Sequence, residues 1–193
     1  FTAAQYEGEP CQQVIFRRQA QDVDPELARQ VEDLKQRDQG TGLLNRPTFL
    51  GLLDTAVAEA AGQGAAHGLL LIEPDHFAQL LEVIGLEDVD QLMAAMGQRL
   101  ASVAEGGAIA RFGEHQLALL SRDSDHMATS ELAERVRDAF AEHVLEVGSH
   151  SLNTTVSVGG VQIGEKIAST SQVLAKASQG VGAAIAVGGN RVE

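Results

Sequence analysis

The sequence predicts an α/β (α+β) fold in which helices pack on one mixed sheet, and three observations carry that expectation. The run Leu69-Leu70-Leu71-Ile72 is continuously apolar, as a strand covered on both faces requires. Two further apolar runs, Ala108 to Phe112 and Leu117 to Leu120, flank a short turn containing Gly113 and read as an antiparallel hairpin. Stretches with apolar residues at 3 and 4 spacing alternate irregularly with these strands, unlike the regular strand-helix repeat of a purely parallel sheet.

Taken in order, Gln5 to Arg18 read as strand, turn, strand, with turn chemistry at Glu7-Gly8-Glu9-Pro10 and a β-prone run from Gln13 to Arg17. Asp24-Pro25 is a helix start, and Leu27, Val31 and Leu34 then recur on one face through Arg37. This stripe is shorter than two heptads. It suits either a coiled-coil seam between two copies or packing against its own domain.

The loop Asp38-Gln39-Gly40-Thr41-Gly42 ends that helix. A second helix is expected from Arg46 to Ala61 with Phe49, Leu52, Leu53 and Val57 on its inner side. After the buried strand come helices from about His76 to Ile84 and Val89 to Val103, then the hairpin. Thr129 to His143 is expected to be a helix that turns Leu132, Val136, Ala139 and Phe140 inward. The run Asn153 to Val158 alternates as a strand that Gly159-Gly160 should close. A last helix from Ser171 to about Val187 should stop at Gly188-Gly189.

The 193 residues accommodate one main domain and an appendage. With 27 acidic and 14 Lys or Arg residues the formal charge is −13, which disfavours nucleic-acid or anionic-membrane surfaces. The single cysteine, Cys11, cannot form an internal disulfide, and no apolar run approaches the ~20 residues that span a bilayer. A cytoplasmic setting is therefore expected. Phe1 at the start, in place of Met, suggests a piece of a longer protein.

Six anchors in order carry a family resemblance: Asp38 to Arg46 with Phe49, Leu70 to Phe77, Arg111-Phe112-Gly113, Ala133 to Arg137, Thr155 to Gly159, and Asn190-Arg191-Val192. Over Asp38 to Val192 the chain resembles the GGDEF, or diguanylate cyclase, domain, which condenses two GTP molecules into cyclic di-GMP on a palm-like scaffold. The resemblance implies a central, mainly antiparallel sheet flanked by helices. It also divides the chain into 1–21, the closing strands of a PAS-like domain, 22–37, a connector helix, and 38–193, the GGDEF domain.

The resemblance can be carried over position by position, and it then implies a degenerate site. The signature turn falls on Gly113, Glu114, His115, Gln116 and Leu117, so the two acids that would hold metal are replaced by His115 and Gln116. An imidazole is a poor Mg²⁺ ligand and an amide offers one weak carbonyl. The remaining metal acid is Glu73, followed by Pro74. Leu81 replaces the Asn that reads guanine, which leaves polar groups unpaired at a loss of roughly 1–3 kcal/mol, while its partner acid persists as Asp90. Ala78 and Ile185 replace the phosphate-binding lysines, and Ala104 and Gly107 replace the Arg and Asp of the product-inhibition motif.

Bland readings suffice for the other conspicuous residues. His67, His76, His115, His126, His143 and His150 show no metal-ligand spacing. Glu73 reads as a strand-end acid, Glu87, Asp88 and Asp90 as a helix start, and Gly106-Gly107 as a turn. The expectation is a catalytically inactive regulatory or scaffolding module with no catalytic, cofactor-binding or metal residues and no cofactor. Its partners would be a PAS sensor and an EAL domain of the same polypeptide, as in hybrid regulators of type IV pili and twitching motility, with homodimerisation through the connector helix left open. Cyclic di-GMP is not expected on this domain. The alternative is a GTP-binding allosteric module that activates a neighbouring EAL domain. An active cyclase is the least favoured reading.

Overall fold

The computed structural model describes residues 2–6, 9–13, 24–167 and 169–193. They divide into two units, Phe1–Asp33 and Leu34–Glu193. In the first, β1 (Thr2–Tyr6) and β2 (Glu9–Gln13) form an antiparallel hairpin in which Tyr6 lies opposite Glu9. Pro10 thus sits in β2 opposite Gln5, whereas the sequence placed it in the turn; a two-stranded ribbon has only edge strands, where proline is tolerated. The expected strand over 14–17 falls outside the described residues.

Helix α1 (Pro25–Gln36) starts as the sequence predicts. The Asp24 side chain accepts from the Glu26 amide at 3.0 Å, and proline occupies a position whose N–H has no helical partner. Leu27, Val31 and Leu34 are 54, 44 and 66% exposed.

The second unit is built on a five-stranded sheet of order β4-β5-β3-β8-β9, comprising β3 (His67–Pro74), β4 (Ala108–Arg111), β5 (Leu117–Ser121), β8 (Val156–Ile163) and β9 (Arg191–Val192). Every pairing is antiparallel except β8 with β9. Strand alternation divides the core. Leu70, Ile72, Leu117, Leu119, Val156 and Val158 face α4 (Val89–Ala101) and α5 (His126–Ala141), while Leu69, Leu71, Ala118, Leu120, Val161 and Ile163 face α2 (Arg46–Gln63) and α6 (Thr170–Ala186). Because both faces are covered, the central strand needs apolar residues at every position, which accounts for its unbroken run.

Capping sets the helix starts. Asn45, Asp125 and Ser169 side chains accept from the Thr48, Ala128 and Gln172 amides, so α5 begins at His126, three residues before the expected Thr129. Phe49, Leu53 and Val57 are buried as expected, whereas Leu52 is only partly buried. Leu44 bridges both Arg37 and Ala110, stitching the loop before α2 to the β4 edge.

Two elements differ from expectation. β8 starts at Val156 and runs through Gly159-Gly160 to Ile163, where the sequence suggested closure. A Cβ at Gly159 would collide with the Ala177 carbonyl and lie 2.6 Å from the Val181 amide, so this glycine admits the α6 backbone against the strand. A small hairpin, β6 (Leu145–Val147) with β7 (His150–Leu152), turns at Gly148 and was not foreseen. No helix among the described residues is long and apolar enough to cross a membrane.

Candidate functional site

The end of β3 is the structural centre of the candidate site. It places Glu73 beside the β4–β5 turn, and α3 (Phe77–Ile84) begins immediately after Asp75 and His76. A cavity of about 340 Å³ opens here, with Glu73, Phe77, Ala78, His115, Ile185 and Gly189 in its wall. The turn is closed by the Gln116 carbonyl, which accepts from the Phe112 amide at 2.8 Å and the Gly113 amide at 3.1 Å. That closure aims the side chains of His115 and Gln116 toward β3.

Gln116 Nε2 donates to Glu73 Oε1 at 2.6 Å. His115 stacks on Phe77 with ring centroids 4.3 Å apart and planes 14° apart, and its Nε2 lies 3.8 Å from Glu73 Oε2. The structure therefore brings Glu73, His115 and Gln116 together, as the alignment of motifs implies. Their chemistry, however, is a carboxylate facing an amide donor and an imidazole. A Mg²⁺ site needs converging oxygen acceptors with enough negative charge to offset dehydration of the ion. These residues do not fit one, because they supply a single carboxylate, and the amide and imidazole beside it add no negative charge. Among the described residues no group of three or more His, Cys, Asp or Glu side chains is placed to hold a metal.

The positions that the resemblance assigns to the nucleotide are engaged within the protein. Leu81, on α3, packs against the core rather than offering a polar edge. Asp90, on α4, accepts from Arg111 at 2.6 Å. Arg111 also lies 3.4 Å from Asp38 and donates to the Glu114 carbonyl at 3.1 Å, so it joins the loop after α1, α4 and the signature turn. Gly40 allows this approach, since a Cβ there would fall 2.6 Å from the Asp90 carboxyl carbon. Burial pushes the Asp38 carboxyl up, but hydrogen bonds from Thr41 and the charge and hydrogen bond of Arg111 outweigh it and hold the group below its ordinary range. Burial likewise lowers Arg111, yet Asp90 and Asp38 carry its guanidinium above its usual value.

Ala78 and Ile185 line the cavity, and no Lys or Arg is among its lining residues. At the other motif, Ala104 is buried, and a Cβ at Gly107 would lie 2.6 Å from a Leu119 methyl and 3.1 Å from the Ala104 and Leu120 carbonyl oxygens, so a side chain there would displace Leu119. The histidines are dispersed in use. Buried His67 accepts from the Asp123 amide at 3.2 Å and faces Glu59, whereas His115 belongs to the Glu73 cluster.

Asp75 is the residue whose importance was missed. Only 7% exposed, it accepts from Thr155 Oγ1, Ser157 Oγ and the Asn190 amide at 2.6, 2.6 and 2.7 Å. The available signal was a pair of hydroxyl residues, Thr155 and Ser157, at the start of an apolar strand, together with an acid that directly follows another strand.

Comparison with known proteins agrees with this architecture. Residues 35–191 match the model of the diguanylate cyclase, GGDEF domain. The response regulator PleD of Caulobacter vibrioides is 29% identical over 163 residues, covering 83% of this chain and 36% of PleD. The cyclic di-GMP phosphodiesterase NbdA of Pseudomonas aeruginosa is 26% identical over 127 residues, which make up 63% of this chain and 16% of NbdA. The chain thus spans about a third or less of these relatives. Among solved structures, the FimX GGDEF domain from Pseudomonas aeruginosa superposes with a TM-score of 0.77 at 26% identity, covering 81% of this chain and 98% of that one. The coiled coil and GGDEF domain of DgcB from Caulobacter crescentus, in complex with c-di-GMP, gives 0.78 at 26% identity, covering 86% and 89%. With the family model spanning most of its length and the same mixed sheet beneath the signature turn, the chain belongs to the GGDEF domain family.

Proposed function

We propose that this GGDEF domain is catalytically inactive and serves as a regulatory or scaffolding module in a bacterial cyclic di-GMP signalling protein. The observation that carries this reading is the 2.6 Å hydrogen bond from Gln116 to Glu73. It sets a neutral amide donor, where the family would have a second acid, against the one carboxylate that the resemblance leaves for metal, with His115 stacked alongside on Phe77. Without the ion, neither the attacking hydroxyl nor the triphosphate charge is stabilised at this place. The cation-free cavity wall and the engagement of Asp90 by Arg111 support the same reading on the nucleotide side.

The partners proposed are other domains of the same polypeptide. A PAS-like sensor would precede the helix at Pro25–Gln36 and an EAL domain would follow, in a cytoplasmic hybrid of the kind that regulates twitching motility. That a matching segment makes up 16% of a protein named as a phosphodiesterase supports the idea of such a domain as one module among several. The test is turnover: the full-length protein incubated with GTP and Mg²⁺ or Mn²⁺ should yield no cyclic di-GMP by chromatography. Product formed above a no-enzyme control, and lost on Glu73→Ala substitution, would overturn the proposal.

A further inference from the structure

We propose that Asp75 is a positioning residue that latches β9 to the sheet and, through the same contacts, sets the far wall of the cavity. The inference rests on geometry alone and holds whether or not the domain turns over GTP. Strand β9 has only two residues, paired with β8 as Ser157 with Arg191 and Val158 with Val192. Beyond that pairing, the Glu193 amide donates to the Val158 carbonyl at 3.0 Å and the Gly160 amide donates to the Glu193 carbonyl at 2.8 Å. So short a strand is marginal by its own ladder.

The Asp75 carboxylate supplies what the ladder lacks. Its Oδ2 accepts from Thr155 Oγ1 and from the Asn190 amide, and its Oδ1 accepts from Ser157 Oγ. Three donors from two separate segments therefore converge on one buried charge, and hydrogen bonds to an ionised acceptor are about twice as strong as neutral ones. Asn190 has φ +52, an uncommon left-handed conformation for a residue with a side chain, and its amide is the donor that meets Oδ2. The preceding Gly188-Gly189 turn is shaped around the same carboxylate. Both glycines have positive φ, and a Cβ on Gly189 would lie 2.5 Å from the Asp75 carboxyl carbon.

Asp75, Gly188 and Gly189 all line the cavity. The wall and the strand are consequently held by one group, so displacement of the wall must loosen β9. Backbone that depends on few bonds opens locally, without global unfolding, and its amide exchange reports that opening.

The experiment is hydrogen exchange on the full chain, residue-resolved by NMR, for the wild type, Asp75→Asn, Thr155→Val and Gly189→Ala. Asp75→Asn replaces one accepting oxygen with a donor that faces other donors, and Gly189→Ala pushes on the carboxylate from the opposite side. The amides of Gly160, Asn190 and Glu193 should exchange about tenfold or more faster in both variants, with a smaller effect in Thr155→Val, while the β3–β5 ladder stays protected. Unchanged exchange at those three amides would overturn the latch. Equal acceleration across β3 and β5 would overturn it too, because Asp75 would then be a general stabiliser of the core. If Asp75→Asn fails to fold, Thr155→Val and Gly189→Ala decide the question by the same readout.

Discussion

Replacing Arg111 with Met keeps most of the aliphatic stem but removes the one guanidinium that joins Asp38, Asp90 and the Glu114 carbonyl. The Asp90 bond is short but its carboxylate is 55% exposed, so its contribution is that of a screened pair, about 0.5–1 kcal/mol. The Asp38 contact is longer, yet both side chains are largely sheltered, and the bond to Glu114 is to a neutral carbonyl; each contributes about 1 kcal/mol. Removing the cation also leaves two carboxylates facing each other across its former place. The expected loss is about 3 kcal/mol, or about 10 °C in Tm for a domain of this size.

The pH dependence gives this prediction a second arm. The folded Asp38 carboxyl titrates below the value of 3.8 that it has when unperturbed. Its contribution is therefore present above that value and is lost as pH falls through the lowered folded pKa. Arg111 stays protonated throughout, so the gap in stability between wild type and Arg111→Met should narrow below about pH 4. Urea unfolding at pH 7 and at pH 3 measures both arms. A loss under about 0.5 kcal/mol at pH 7, or a gap of equal size at the two pH values, would refute the reasoning.

Other substitutions probe the site and the fold separately. Gln116→Glu places a second carboxylate against Glu73 and should lower stability by about 1–3 kcal/mol in chelator, with millimolar Mg²⁺ restoring part of the Tm by bridging the two acids; thermal unfolding with and without the ion reads this out. Gly159→Ala should cost about 3 kcal/mol or more in denaturant unfolding, because the added methyl meets backbone atoms of α6 that cannot rotate away. Val31→Ser, on the exposed stripe of α1, should leave the unfolding free energy within about 0.5 kcal/mol of wild type, and a larger drop would mean that the stripe is covered in solution.

The legible parts of the fold were those governed by local periodicity. The unbroken run at Leu69 to Ile72 announced a doubly covered strand, and Asp24-Pro25 announced a helix start, because each signal lies within a few residues of its consequence. Gly159 misled because its role is set by α6, nearly twenty residues away, whereas a glycine pair read locally looks like a stop. The β6–β7 hairpin escaped notice since three-residue strands carry almost no alternation.

The site divides along the same line. Its position, from Glu73 to the turn at Gly113, was readable from motif order. The bonds inside it were not. That Gln116 donates to Glu73, that His115 stacks on Phe77, and that Arg111 takes up Asp90 depend on side-chain directions across separate elements. Asp75 was hidden for the same reason, since its partners come from β8 and from the residues before β9.

The central claim is that the seat of metal and nucleotide lacks the groups that would hold either one, and isothermal titration of the full chain with GTP in millimolar Mg²⁺ tests it most directly. The account predicts no saturable binding tighter than millimolar, because Asp75 is taken up by Thr155, Ser157 and Asn190, Glu73 is the other acid in the cavity wall, and no Lys or Arg lines it for the phosphates. Stoichiometric, Mg²⁺-dependent binding of GTP in the micromolar range would contradict it.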